Sequence, residues 1–182
     1  TLVHHARTLL ANVFLFKSLF SSLHMVNVVL IYKIGQALHL GRPSLVAGVY
    51  ALNPLIILEL VGGGHNDMLV LTFVFLSLYF AASKKLFWVL PAFGLSLCVK
   101  HTSILLALPL LIWLYQQHKA MISRLFLSLL VTILEMAILY GLYWEGLKIF
   151  DSLIFWQQRR SAASLHYFLT HFFRLPDTIE FL

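Results

Sequence analysis

The chain has 182 residues, of which 60% are hydrophobic, 14% aromatic and only 11% charged, and its mean hydropathy is +0.89; a soluble domain of this size does not carry that balance. The formal charge of +6 does not indicate nucleic acid, because the lysines and arginines are scattered through short loops between apolar runs and form no basic face interleaved with stacking aromatics. A single cysteine, Cys98, excludes a disulfide framework within these residues and a Cys-based metal site.

These values predict an all-α, polytopic transmembrane helix bundle. The chain opens at Thr1 without methionine or a signal-peptide pattern, and it enters an apolar run almost at once. It therefore reads as a fragment that lacks upstream sequence. Residues 1–147 are expected to form the bundle, and 148–182 an external loop or interfacial helical segment.

In chain order, a first apolar segment runs from about Thr8 to Tyr32 and a second from about Leu45 to Val61, with Pro54 inside it. Both approach or exceed the length needed to cross a bilayer. Lys17, His24 and Asn27 lie within the first. The two neutral side chains are expected to hydrogen-bond between helices, and Lys17 to pair with an acid. Pro54 removes an amide and leaves the carbonyl of Tyr50 without its helical donor; Asn53 stands next to it to relieve that loss.

The second segment ends in Gly62-Gly63-Gly64-His65-Asn66-Asp67, and apolar residues resume from Met68 to Ala82. A polar cluster wedged between two membrane segments costs several kcal/mol per unpaired group, so it needs a physical reason. Asn66 or Asp67 can cap the helix starting at Met68, where a short oxygen-bearing side chain meets exposed amides and the positive end of the helix dipole. Three glycines and His65 exceed what a cap requires, since glycine permits positive φ and close approach of a ligand to backbone. Glu59, just before the glycines, is either a site carboxylate or a snorkelling side chain.

A fourth segment covers Leu86 to Tyr115 with Lys100-His101 in its middle. As one helix it would be roughly 45 Å long, well beyond a hydrocarbon core of about 30 Å. If it breaks at Lys100-His101 into a hairpin of two short helices, Lys33 and Arg42, Lys84 and Lys85, and Lys119 and Arg124 all fall on one face. The positive-inside rule makes that face cytoplasmic. Gly62 to Asp67, Lys100-His101 and the tail then meet at the outer face. A fifth segment spans about Leu125 to Trp144, with Glu135 in its middle as a bundle-facing structural acid. Tyr32, Trp113, Tyr115, Tyr143 and Trp144 read as interfacial anchors. In the tail, Leu165, Phe168, Leu169, Phe172 and Phe173 share one helical face, as in an amphipathic segment lying in the interface.

Phe16-Lys17 through Ile31-Tyr32-Lys33, then Leu52-Asn53-Pro54, Gly62-Gly63-Gly64-His65-Asn66-Asp67, and Val99-Lys100-His101-Thr102 with Pro109 beyond, resemble the middle of GT-C-type glycosyltransferases. The likeness is to the polyprenol-phosphomannose-dependent alpha-1,6-mannosyltransferases and spans about Ala11 to Trp113. The glycine-rich His-Asn-Asp run is its most specific part. The resemblance implies a membrane enzyme that takes a hexose, mannose, from a polyprenyl phosphate carrier and passes it to a glycan or lipid-linked acceptor at the external or periplasmic face. It places the catalytic aspartate in an external loop upstream of these residues.

Sugar transfer from such a carrier needs a base for the acceptor hydroxyl and positive charge or aligned dipoles for the departing phosphate. Within the chain, Lys100 is the candidate for the phosphate, assisted by the amides of Gly63 and Gly64. His65, Asn66 and Asp67 would orient the donor or acceptor, with His101 and Glu59 at the rim. No cofactor is implied. A divalent cation stays open, although one His beside one Asp is weak support for a metal site. Two other classes fit the pattern in part. A secondary transporter uses broken helices and intramembrane charges, but at the midplane between repeats, and no repeat is visible here. A non-catalytic scaffold would tolerate alanine at His65, Asp67 and Lys100.

Overall fold

The computed structural model describes residues 9–117, 122–142 and 146, and the regular structure among them is entirely helical. The chain divides into two compact units, Thr1–Tyr140 and Gly141–Leu182; the first holds the helices that position the site. The tail, with its expected amphipathic face at Leu165 to Phe173, and the anchors Tyr143 and Trp144 lie outside the described residues.

Helix α1 covers Leu9–Ala37, five residues past the expected end at Tyr32. Nothing in that stretch breaks a helix, and Gln36 Nε2 donates to Tyr32 Oη one turn back at 3.0 Å. His39, at φ +55°, then turns the chain, and α2 (Pro43–Ala51) starts with proline in its first turn, where no amide is missed. The two helices run antiparallel. A Cβ on Gly35 would lie 2.9 Å from Pro43 Cβ, and further along Asn27 Nδ2 donates to Tyr50 Oη at 3.2 Å, while His24 Nε2 meets the Ala51 carbonyl at 3.1 Å.

The expected break occurs at Asn53-Pro54. The Tyr50 carbonyl accepts the Asn53 N–H at 3.2 Å, and Asn53 Oδ1 accepts the Leu55 N–H at 3.0 Å. Asn53 thus answers the proline twice, once with backbone and once with side chain. Beyond it the chain continues as a π-helix, Ile56–Gly62, bent by 61° from α2.

Helix α3 (Asp67–Ala82) runs parallel to α1. Asn27 Nδ2 contacts Met68 Sδ at 3.2 Å near its start, and Lys33 Nζ lies 5.9 Å from the Tyr79 ring near its end. After a short 3-10 turn (Leu86–Trp88), α4 (Val89–Val99) comes back antiparallel; Ser77 Oγ donates to the Val89 carbonyl at 2.8 Å. A second 3-10 turn, His101–Leu106, leads into α5 (Ala107–Gln117). Leu110 and Leu114 of α5 share one buried cluster with Leu86, Val89 and Phe93, so the fourth segment does fold back on itself. Helix α6 (Ile122–Leu142) crosses α4 where a Cβ on Gly94 would fall 2.6 Å from Thr132 Cγ2.

Among the described residues, two helices are long and apolar enough to cross a membrane, Ala11–Ala37 and Leu125–Leu142, or three if the bent pair α2 and π-helix counts as one span. The interior between helices is rich in small and polar groups: Ser77, Ser96 and Ser128 are fully buried, and Thr132 nearly so. That is how helices associate in lipid, where apolar burial alone drives little and close approach plus interhelical bonds decide.

The helix directions sort the loops into two ends. Lys33 and Lys85 both lie 5.9 Å from the Tyr79 ring, which marks a basic end, and Leu114 near the end of α5 packs close to it beside Leu86 and Val89. The opposite end carries the glycine run, the start of α3 and the break at Lys100.

Candidate functional site

The site is built where α3 begins and α4 ends. Helix α4 stops at Val99 because Lys100 is extended, with φ −156° and ψ 115°. Two buried serines hold that break. Ser103 donates its hydroxyl to the Lys100 carbonyl at 3.0 Å, and its N–H to the same carbonyl at 3.2 Å; Ser96 Oγ lies 3.2 Å from Ser103 Oγ and donates to the Phe93 carbonyl at 2.6 Å. The Lys100 N–H in turn donates to the Ser96 carbonyl at 3.0 Å. The lysine is therefore fixed at its backbone, and its side chain reaches across 33 residues to place Nζ 2.6 Å from Asp67 Oδ1.

This ion pair is half-exposed, with side chains 44% and 42% accessible. Asp67 stands in the first turn of α3, where the helix dipole favours its charge. The expected side-chain cap is not made: Asn66 occupies the cap position with helical backbone angles, φ −59° and ψ −14°, and no capping hydrogen bond, and Asp67 is turned toward Lys100. His101, exposed, opens the 3-10 turn directly after the lysine.

Two of the three glycines have separate reasons. A Cβ on Gly63 would strike the Glu59 carbonyl and come within 2.9 Å of His65 Cδ2, so only glycine lets the π-helix end with the His65 ring folded over it. Gly64 has φ +66°, the left-handed region that costs an ordinary residue about 1–2 kcal/mol. The Gly63 amide, expected to point at a phosphate, is used internally by the carbonyls of Leu58 and Glu59 at 3.1 and 3.2 Å. His65, Asn66 and Glu59 are exposed around this turn.

Helix α1 closes the remaining side. Phe20 is buried, its ring 3.6 Å from where a Gly64 Cβ would be. One turn earlier, Lys17 donates to the Gly62 carbonyl at 2.7 Å, instead of pairing with an acid. His24 and Asn27 lie deeper in α1 and bond between helices, as expected. Among the described residues no group of three or more His, Cys, Asp or Glu is arranged to hold a metal ion.

Gly63, Gly64, His65, Asn66, Asp67, Lys100 and Glu59 are thus gathered at one end of the helices, with His101 adjacent in the chain. Lys17 and Phe20 complete the lining and were not foreseen there. The intramembrane lysine was visible, but its height depends on the register between α1 and the π-helix, which the break at Pro54 sets.

The family model described as alpha-(1->6)-mannopyranosyltransferase, N-terminal domain, matches residues 2–117, well over half of the chain and including every residue of this site. No characterised protein and no solved structure matches it.

Proposed function

This chain belongs to the alpha-(1->6)-mannopyranosyltransferase family, and from that membership we propose that it contributes the membrane-embedded sugar-transfer site of a multi-pass enzyme of GT-C type. The donor is mannose on a polyprenyl phosphate, and the acceptor is a glycan or lipid-linked glycan. The reaction face is the end that carries the glycine turn, external or periplasmic in the cell membrane, since the opposite end holds Lys33 and Lys85.

In this reaction the acceptor hydroxyl oxygen attacks C1 of mannose, and the bond from C1 to the phosphate oxygen breaks. The bonding pair leaves with the polyprenyl phosphate, and the hydroxyl proton goes to a base that we place outside these residues. The glycine turn and the pair of Asp67 with Lys100 bind and orient. Asp67 accepts from sugar hydroxyls, and Lys100, anchored by Ser103 through its backbone, presents its ammonium to the phosphate while the carboxylate fixes its direction. His65 and Asn66 stand beside the sugar, with Glu59 and His101 at the rim.

The observation that carries this reading is the 2.6 Å contact of Lys100 with Asp67 beside a turn built of glycine. An exposed ion pair contributes little stability, about 0–1 kcal/mol, so its placement by two buried serines and a helix break calls for a role in binding. The test is transfer of radiolabelled mannose by the full-length protein in membranes, offered either as polyprenyl phosphate mannose or as a nucleotide sugar. Product from the carrier alone supports the reading; product from the nucleotide sugar without any carrier overturns it.

A further inference from the structure

Among the described residues, Lys17 is a cation at the glycine turn that no acidic side chain pairs with. Lys100 is neutralised by Asp67. The Lys17 ammonium makes one hydrogen bond, to the Gly62 carbonyl. That acceptor is neutral, and an ammonium has three donors, so two N–H groups and the positive charge find no partner among the described residues. Glu59, on the π-helix three residues before Gly62, forms no ion pair with it among the described residues.

The surroundings make this costly. Eight residues of α1, Leu9 to Phe16, precede Lys17, so the helix continues for roughly 12 Å beyond it. Val13, Phe14 and Phe16 on that stretch are exposed at 45%, 77% and 46%. The lysine therefore sits in an apolar belt and not at a helix end. A cation so placed is expensive unless a counter-charge reaches it, and the Gly62 carbonyl only holds the ammonium facing the turn.

Resting on the carrier-dependent reading above, we propose that Lys17 binds the phosphate of the polyprenyl carrier and supplies the uncompensated positive charge of the site. The phosphate would enter from the lipid side between the apolar face of α1 and the glycine turn. When the C1–O bond breaks, the phosphodiester becomes a monoester and gains negative charge. Lys17 then binds the released polyprenyl phosphate more tightly than the donor, which favours departure.

The test uses the full-length protein in nanodiscs of phosphatidylcholine, titrated with polyprenyl phosphate and with unphosphorylated polyprenol. Lys17→Gln keeps a donor for Gly62 but removes the charge, and is expected to weaken polyprenyl phosphate binding about tenfold. Lys17→Arg should stay within about threefold of wild type, and polyprenol should not distinguish the three proteins. Equal binding of polyprenyl phosphate by wild type and Lys17→Gln overturns the proposal. If the wild type binds no polyprenyl phosphate at all, the carrier reading itself falls. Amine-reactive footprinting of the wild type needs no variant to fold: polyprenyl phosphate should shield Lys17, and absence of shielding counts against the assignment. Shielding by added phosphatidylglycerol and not by the carrier would make Lys17 a lipid headgroup contact and overturn it equally.

Discussion

Asp67 opens one helix and Lys100 interrupts another, and their charged groups meet at 2.6 Å in a half-exposed pair. A pair so open contributes no more than about 1 kcal/mol to stability. Asp67→Asn and Lys100→Met should therefore leave expression and insertion near wild type while lowering mannosyl transfer about 100-fold, the range expected when one oriented charge is lost from a transfer site. Exchanging the residues, Asp67→Lys with Lys100→Asp, restores the ion pair but presents a carboxylate to the phosphate. Full transfer by the exchanged protein would show the pair to be structural only.

Helix directions predict a pattern of accessibility. In a Cys98→Ser background, which removes the single cysteine of these 182 residues, cysteines at positions 85 and 100 should label from opposite sides of intact cells, position 100 from outside with a membrane-impermeant reagent. Labelling of both from the same side would dismantle the assignment of the basic residues to one end and the site to the other.

Gly63 leaves no room for a side chain. Gly63→Ala drives a Cβ into the Glu59 carbonyl and the His65 ring, a distortion of about 1–3 kcal/mol confined to the turn. Donor binding should weaken at least tenfold while membrane insertion, read by protease protection, stays intact. Parallel loss of both would mean that the turn serves folding alone.

At the crossing of α4 and α6, Gly94→Ala places its methyl 2.6 Å from Thr132 Cγ2. Thermal stability in detergent should fall, by about 1–2 kcal/mol. Thr132→Ser removes that methyl and keeps a hydroxyl for its bond to the Ser128 carbonyl. The double variant should recover most of the loss, and an additive result would rule out this contact as its cause.

The all-α membrane character could be read from composition, and the break at Lys100-His101 from the conflict between segment length and bilayer thickness. That Asp67 and Lys100 belong at one end followed from counting basic loops, but their direct contact did not. What lay beyond the sequence were the registers. The sequence marked Pro54 as a disruption but not how far it rotates and shifts the chain after it. A π-helix there, bent 61° from α2, sets Gly62 beside Lys17 and Gly64 beside Phe20. Asn66 and Asp67 carried a local signal for capping; for Asp67 a partner 33 residues away overrode it, and Asn66 has helical backbone angles and makes no capping bond. Tyr50, which joins Asn27 by hydrogen bond and stacks on His24 at 5.4 Å between centroids, gave no sign of that role, since tyrosines near segment ends usually sit at the interface.

The 16 residues of α3 have a consequence for the depth of the site. From its basic end, anchored by Lys84 and Lys85, the helix rises only about 24 Å, some 6 Å short of the far edge of an average hydrocarbon layer. Standing upright from one edge of such a layer, a helix of this length would bring Asp67, and Lys100 paired with it, to a level below the other edge. On the carrier-dependent reading proposed above, a lipid-linked phosphate would then meet the pair with its chain still in the hydrocarbon.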